Sequence, residues 1–309
     1  MSGPLRTALR WCATSDRTRP RLARLGPVQR AARHVVPGDA IDDALGAAVA
    51  LQVLDIGTVY TRLDPPIAGA ADADAAADAY LELIARIRES ELDGEISLDP
   101  AALGAALDPD ATLARLRSLA ATAEANGSFL WLDMGASATV DRTLDLYQRL
   151  RASCPRTGVA LRADLRRTAK DVERLLPLNP AIRLVKGAGD QGRDVALQSG
   201  REIAANYLGI AVTLLREARN RPLRIALGTH DVELVQQIAT HASAAGLPRR
   251  AVEIHMVHGI RARDQRALAR SGYAVRTLIP FGPAWDRWYL EQLAELPRAV
   301  RSVLRQLLP

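Results

Sequence analysis

Apolar and polar positions along the chain follow two rhythms. Short apolar runs recur, bounded by Gly, Pro, Asn or Asp, and longer stretches between them carry apolar residues three and four apart. The short runs read as buried strands and the longer stretches as amphipathic helices. The pattern predicts strands at Ile56–Tyr60, Glu95–Leu98, Phe129–Met134, Gly158–Ala163, Ile182–Val185, Arg224–Leu227, Val252–Val257 and Ala274–Ile279. Helices are expected at Ile41–Leu54, with Asp39 as N-cap, and then at Ala75–Arg88, Asp110–Ala125, Val140–Ala152, Thr168–Leu176, Glu202–Arg219, Asp231–Ala245, Asp264–Ser271 and Ala284–Leu296. Eight strands alternating with helices is the count of a (β/α)8 barrel. A doubly wound open sheet is the alternative, but no Gly-x-Gly-x-x-Gly turn follows the first strand to support it.

One run breaks the apolar rule. Ala181-Ile182-Arg183-Leu184-Val185-Lys186-Gly187 has a cation inside a buried strand and another at its end. Buried charge is costly unless it is paired or meets a ligand. The stretch therefore implies either an internal ion pair or two positive charges delivered to an anionic cofactor or substrate. In a barrel, chemistry sits where strands end. Those ends offer Asp99, Asp133, Arg162 with Asp164, Lys186, Thr229-His230-Asp231, and His255 with His258.

Composition changes this picture in three ways. Hydrophobic residues are 48% of the chain and aromatics only 4%, so the core must be built from Leu, Val, Ile and Ala. The net charge of +6 has a strong local source, because residues 1–34 carry Arg6, Arg10, Arg17, Arg19, Arg21, Arg24, Arg30 and Arg33 against Asp16. This segment reads as a basic helical arm preceding a single barrel domain over residues 35–309. It could be a solvated extension or contact anionic lipid or a partner. Its lack of interleaved aromatics beyond Trp11 argues against nucleic acid. Cys12 and Cys154 form no disulfide framework or metal-ligand spacing, and no apolar run reaches the ~18 residues of a membrane span. A cytoplasmic setting, with at most peripheral contact at the inner membrane face, is expected.

Several blocks in order resemble the proline dehydrogenase family of flavoenzymes. They are Leu132-Asp133-Met134, Arg166-Arg167-Thr168, Arg183-Leu-Val-Lys186-Gly-Ala, Gly228-Thr229-His230, and Ile279-Pro280-Phe281-Gly282 leading to Trp285 and Leu293-Ala294-Glu295-x-Pro297. The resemblance runs from about His34 to Pro297 and suits a monofunctional bacterial member. It implies a distorted (β/α)8 barrel holding FAD, oxidation of a CH–NH bond to an imine, and electron transfer to a quinone. Carried over by residue, it places Arg183, Lys186, Thr229 and His230 against the cofactor, with Arg162 and His255 beside them. Asp133 matches the acid of the active-site strand end.

The departures concern the substrate. The family holds a substrate carboxylate with a lysine after the second strand and two adjacent arginines in the last helix. Here those positions are Asp99 and Glu291-Gln292. Gly189 replaces a tyrosine, Trp288 replaces another, and His255 stands where a glutamine is expected. Each lost cation removes a contact worth about 1.5–3 kcal/mol. An acid in its place adds repulsion of about 4 kcal/mol for charges ~4 Å apart at an effective dielectric of ~20.

The expected substrate is therefore a proline-like cyclic amine whose carboxylate is masked, carrier-linked or absent. Asp99, Gly189, Trp288, Glu291 and Gln292 would line its pocket, and Asp133, Asp99 or Glu291 would take the ammonium proton. The alternatives are a remodelled pocket in which Arg162 grips the carboxylate of a proline-like ring acid from another side, free L-proline with a rearranged carboxylate site, a non-catalytic binding module on the flavin barrel, and a metal-dependent hydrolase using His230, Asp231, His255 and His258. The last is disfavoured because a three-residue spacing on a strand points His255 and His258 to opposite faces.

Overall fold

The computed structural model describes residues 3–15, 17–187 and 191–295. Eight parallel strands close into a barrel in chain order, the last pairing with the first. They are β1 (Gly57–Arg62), β2 (Gly94–Leu98), β3 (Leu130–Leu132), β4 (Thr157–Arg162), β5 (Ala181–Val185), β6 (Arg224–Gly228), β7 (Val252–Val257) and β8 (Ala274–Phe281). Three helices, α1 (Gly3–Thr14), α2 (Arg19–Ala23) and α3 (Gly26–Arg33), form the basic arm, and α4 (Ile41–Gln52) follows them. The outer helices are α5 (Ala70–Glu89), α6 (Pro109–Ala125), α7 (Val140–Arg151), α8 (Thr168–Leu175), α9 (Gly200–Ala218), α10 (Val232–Ala244) and α11 (Ala262–Arg270). A last helix, α12 (Trp285–Glu295), comes after β8.

Strand alternation divides the core in two. Ile182 and Leu184 of β5 face outward into the large cluster formed with the helices. Ala181 joins Val59, Phe129, Trp131 and Ala226 in a small apolar cluster inside the barrel. Inside and outside are set by one-residue steps along each strand. Arg183 lies two positions beyond Ala181, so its place inside the barrel follows from the same period.

Three local expectations are corrected. Asp39 does not cap α4; its N-cap is Ala40, whose N–H donates to Asp43 Oδ2 at 3.1 Å. The Ala/Asp-rich stretch is helical from Ala70, because Asp72 accepts from the Ala68 and Gly69 N–H groups at 2.9 and 3.2 Å and starts the helix earlier than Ala75. The third strand stops at Leu132, and Asp133 leaves the ladder to turn inward, although its N–H still donates to Leu98 O at 2.7 Å.

The arm reaches the barrel where β7 and β8 end. Ala31 and Ala32 pack with Tyr289 of α12, and Arg19 pairs with Asp286 at 3.3 Å. His258 Nδ1 lies 3.2 Å from Val35 O, and Gly282 N donates to Gly38 O at 3.2 Å. Gly259 adopts φ +72°, and a Cβ there would overlap the His34 carbonyl.

Candidate active site

Arg183 is the centre of the C-terminal half of the barrel. Its side chain is only 5% exposed. The guanidinium Nη2 donates to Ser97 Oγ at 2.7 Å and is bonded to Asp133 Oδ1. Ser97 Oγ in turn donates to Asp133 Oδ2 at 2.8 Å. The guanidinium carbon also stands 5.3 Å from the Trp131 ring centroid. A buried cation persists when hydrogen bonds and an opposite charge replace its lost water, and β2, β3 and β5 together supply that here.

The other cations at the strand ends are also engaged. Lys186 Nζ donates to Asp231 Oδ2 at 2.6 Å, and Asp231 caps α10 by accepting from Leu234 N at 3.2 Å. Thr229 Oγ1 accepts from Asp231 N at 3.1 Å, which ties the end of β6 to this pair. Arg162 grips the fully buried Asp164 with two bonds, 3.1 and 2.9 Å. Gly187, at φ +73°, passes directly over that carboxylate, where a Cβ would overlap Asp164 Oδ1. Arg62 pairs with Asp64 at 3.0 Å, and on α12 Arg287 pairs with Glu291 at 3.2 Å. Among the described residues, each of these cations already has a carboxylate.

Asp99 differs. Its Oδ1 accepts from the Ala101 N–H at 2.9 Å, and the Gly135 backbone passes close to its other oxygen. Burial raises its pKa above the ordinary carboxylate value; the Ala101 N–H opposes this and the charge of Asp133 adds to it. His230 is pushed down to about 4 by burial, with Arg261 adding to the effect, and its Nδ1 is buried without a hydrogen-bond partner.

Below Arg183 lies a polar layer that crosses the barrel. Arg224 donates to Glu95 Oε1 at 2.6 Å and to both oxygens of Glu253 at 2.6 and 2.7 Å. Arg276 stands 3.3 Å from Glu95 and 3.6 Å from Glu253, and Trp131 Nε1 donates to Glu95 Oε2 at 2.7 Å. Burial works against the charge of Glu253, yet the bonds from Arg224 and His255 hold its carboxyl well below the usual range. His255 sits on this layer with Nε2 3.3 Å from Glu253 Oε2.

Arg183, Asp133, Lys186, Thr229, His230, Arg162 and His255 thus gather at one end and the interior of the barrel. Trp288 packs against the apolar cluster of Ala31, Ala32 and Tyr289, while Glu291 and Gln292 lie half-buried on α12. Gly189 lies outside the described residues. Sequence reasoning missed Ser97, Glu95, Glu253 and the partner roles of Asp164 and Asp231. For Glu95 and Ser97 the signal was present: polar residues at alternate positions of a strand predicted to be buried. Among the described residues, no three His, Cys, Asp or Glu side chains cluster as metal ligands. His258 is held instead by the Val35 carbonyl.

The sequence profile of the family described as proline dehydrogenase matches residues 45–287. Proline dehydrogenase 1 of Bacillus subtilis subsp. natto is 26% identical over 295 residues, covering 96% of each chain. Proline dehydrogenase of Deinococcus radiodurans is 28% identical over 282 residues, covering 90% of each. Among solved structures, proline utilization A from Bdellovibrio bacteriovorus inactivated by N-propargylglycine superposes with a TM-score of 0.80 at 22% identity. That match covers 88% of this chain but only 33% of the other, so the chain spans a third of that protein and the likeness speaks for the fold alone. With the profile matched over most of its length, the chain belongs to the proline dehydrogenase family of oxidoreductases, which act on a CH–NH group.

Proposed function

We propose that the protein is an FAD-dependent dehydrogenase that converts the ring C–N bond of a proline-like cyclic amine to an imine, on a substrate that presents no free carboxylate. The observation that carries the substrate reading is that acids stand where the resemblance expects carboxylate-binding cations, with the nearby strand-end cations already paired. Arg183, Lys186, Arg162 and Arg62 each already hold a carboxylate, and Asp99 stands where the family resemblance expects a lysine. A free amino-acid carboxylate would have to displace one of these acids and also face Asp99.

The interior suits a flavin. Arg183 is a buried cation, and His230 Nδ1 and His255 Nδ1 are buried ring nitrogens without a hydrogen-bond partner. Arg183, Lys186, Thr229, His230, Arg162 and His255 would hold the cofactor. When bound, a flavin supplies the hydride acceptor, and a cation near its pyrimidine edge favours the reduced ring.

The acid–base role falls to Asp99. Asp133 has both oxygens engaged by Arg183 and Ser97, and Glu291 is paired with Arg287. Asp99 uses one oxygen to accept from the Ala101 N–H and, among the described residues, has no cation paired with the other, and burial raises its pKa above the ordinary carboxylate value, which favours its taking up a proton. The electron acceptor would be a small molecule of the quinone class, as the family resemblance implies. No helix among the described residues is long and apolar enough to cross a membrane.

A second reading, free L-proline, is favoured by Arg287. Its pair with Glu291 is about 40% exposed on both sides, and such a pair is worth at most about 1 kcal/mol. Arg287 is thus cheap to release toward a carboxylate. The test is anaerobic reduction of the flavin-loaded protein by L-proline and by L-prolinamide. Bleaching by prolinamide alone supports the carboxylate-free substrate. Bleaching by proline that disappears in Arg287→Ala supports the second reading, and a protein that takes up no FAD removes both.

A further inference from the structure

His255 is 5% exposed and lies inside the barrel, edge-on to Trp131 with ring centroids 5.6 Å apart. Its two nitrogens have different surroundings. Nε2 lies 3.3 Å from Glu253 Oε2, whereas Nδ1 is buried and has no hydrogen-bond partner. Glu253 is itself held by two bonds from Arg224, at 2.6 and 2.7 Å. A carboxylate gripped in this way only accepts, so the ring hydrogen belongs on Nε2 and the Nδ1 lone pair is left over.

The charged groups around the ring are Glu253 on its own strand, Glu95, Arg183 and, on the paired strand, Arg276. Burial lowers the pKa of His255, Arg183 works in the same direction, and the two glutamates oppose them. The result is a neutral imidazole with an unused acceptor. A buried acceptor without a donor is costly, and it has been built into a rigid, charge-balanced layer. The chemistry that answers it is a single neutral N–H.

We propose that Arg224, Glu253 and His255 form a tautomer lock that presents His255 Nδ1 as the acceptor for a ring N–H of the bound flavin. This rests on the flavin reading above and goes beyond it by assigning an atom and a tautomer. The oxidised isoalloxazine ring carries one N–H, at N3, and all its other polar ring atoms accept. Reduction adds a second, at N5. Either can supply the donor, and the two are separable by experiment because N3–H is present in both redox states.

The test is titration of flavin-free protein with FAD and with N3-methyl-FAD, for the wild type and for His255→Leu and His255→Gln. If N3–H is the donor, methylation weakens binding to the wild type about tenfold, equivalent to about 1.4 kcal/mol. The penalty falls below about twofold in His255→Leu, and His255→Gln, which keeps an acceptor, restores part of it. If N5–H is the donor, methylation has no effect and His255→Leu lowers the flavin midpoint potential. Equal binding of both flavins with an unchanged potential in His255→Leu overturns the proposal.

The lock has its own readout. Nitrogen NMR of histidine-labelled protein, with the His255 signals assigned by their loss in His255→Leu, should show Nε2 protonated and Nδ1 bare, and Glu253→Gln should shift that balance. A protonated Nδ1 in the wild type overturns the tautomer assignment even if flavin binds. Failure to take up either flavin removes the cofactor reading and the inference with it, while the nitrogen spectra still report whether the lock exists.

Discussion

Asp133 and Arg183 meet inside the barrel although they come from strands that are not neighbours, the acid following β3 and the cation in the middle of β5. Ser97 from β2 bonds to both. The pairing converts an isolated buried charge into a three-membered network, and it occupies both oxygens of the acid.

Removing Asp133 leaves Arg183 buried and unpaired. Breaking a fully buried pair costs about 3–5 kcal/mol, and the 31% exposure of Asp133 brings the expected loss for Asp133→Ala to the lower end. Ser97→Ala should cost about 1 kcal/mol. Urea midpoints measure both, and equal losses would mean that Arg183 finds another partner.

Asp99→Asn should stabilise the protein at neutral pH. The folded-state pKa of Asp99 is raised by burial, so ionising it opposes folding. Its stability contribution is present below the unfolded-state pKa, about 3.9, and is lost as pH rises through the folded value. Asn keeps the capping bond to Ala101 without the charge. The gain in melting temperature should therefore appear at pH 7 and vanish near pH 3. A second readout is turnover, whose rise with pH on the acid side should disappear in the same variant.

His230 predicts the opposite pH trend. Its pKa falls from 6.5 to about 4 on folding, so its contribution is full above 6.5 and is lost as pH falls toward 4. The ceiling is about 3 kcal/mol. His230→Gln should flatten the stability curve in that window, and an unchanged curve would place the acid sensitivity elsewhere.

Gly187→Ala tests the contact between the ends of β4 and β5. A left-handed residue with a Cβ costs about 1–2 kcal/mol, and here that Cβ also displaces the buried Asp164 carboxylate from under the chain. A loss of at least about 2 kcal/mol is expected in denaturant melts with an unchanged m value. Tolerance of the alanine would show that the Arg162–Asp164 pair can shift.

The barrel was legible because its strands are short apolar runs at regular spacing, and the eight-strand count follows from the pattern. Arg183 and Lys186 stood out because charge inside such a run breaks the pattern. Their partners were hidden for a physical reason. Asp231 and Asp164 are near in sequence to other candidates, but Ser97 and Asp133 meet Arg183 only once the sheet curls into a cylinder, which no linear spacing records. The Asp39 cap failed because two acids, Asp39 and Asp43, compete for one helix start, and the side chain three residues inside reached the Ala40 N–H.

The bond between Arg224 on β6 and Glu95 on β2 joins strands four places apart in a ring of eight. It is a strut across the diameter. Backbone ladders set the distance between neighbours, but the roundness of a cylinder is a separate freedom, and this strut removes it. The ends of the same two strands carry Asp99 and Thr229-His230, so the width of the opening above is fixed by a side-chain length far below it. A shorter residue in place of Arg224 would pinch or relax the mouth without touching any group that lines it.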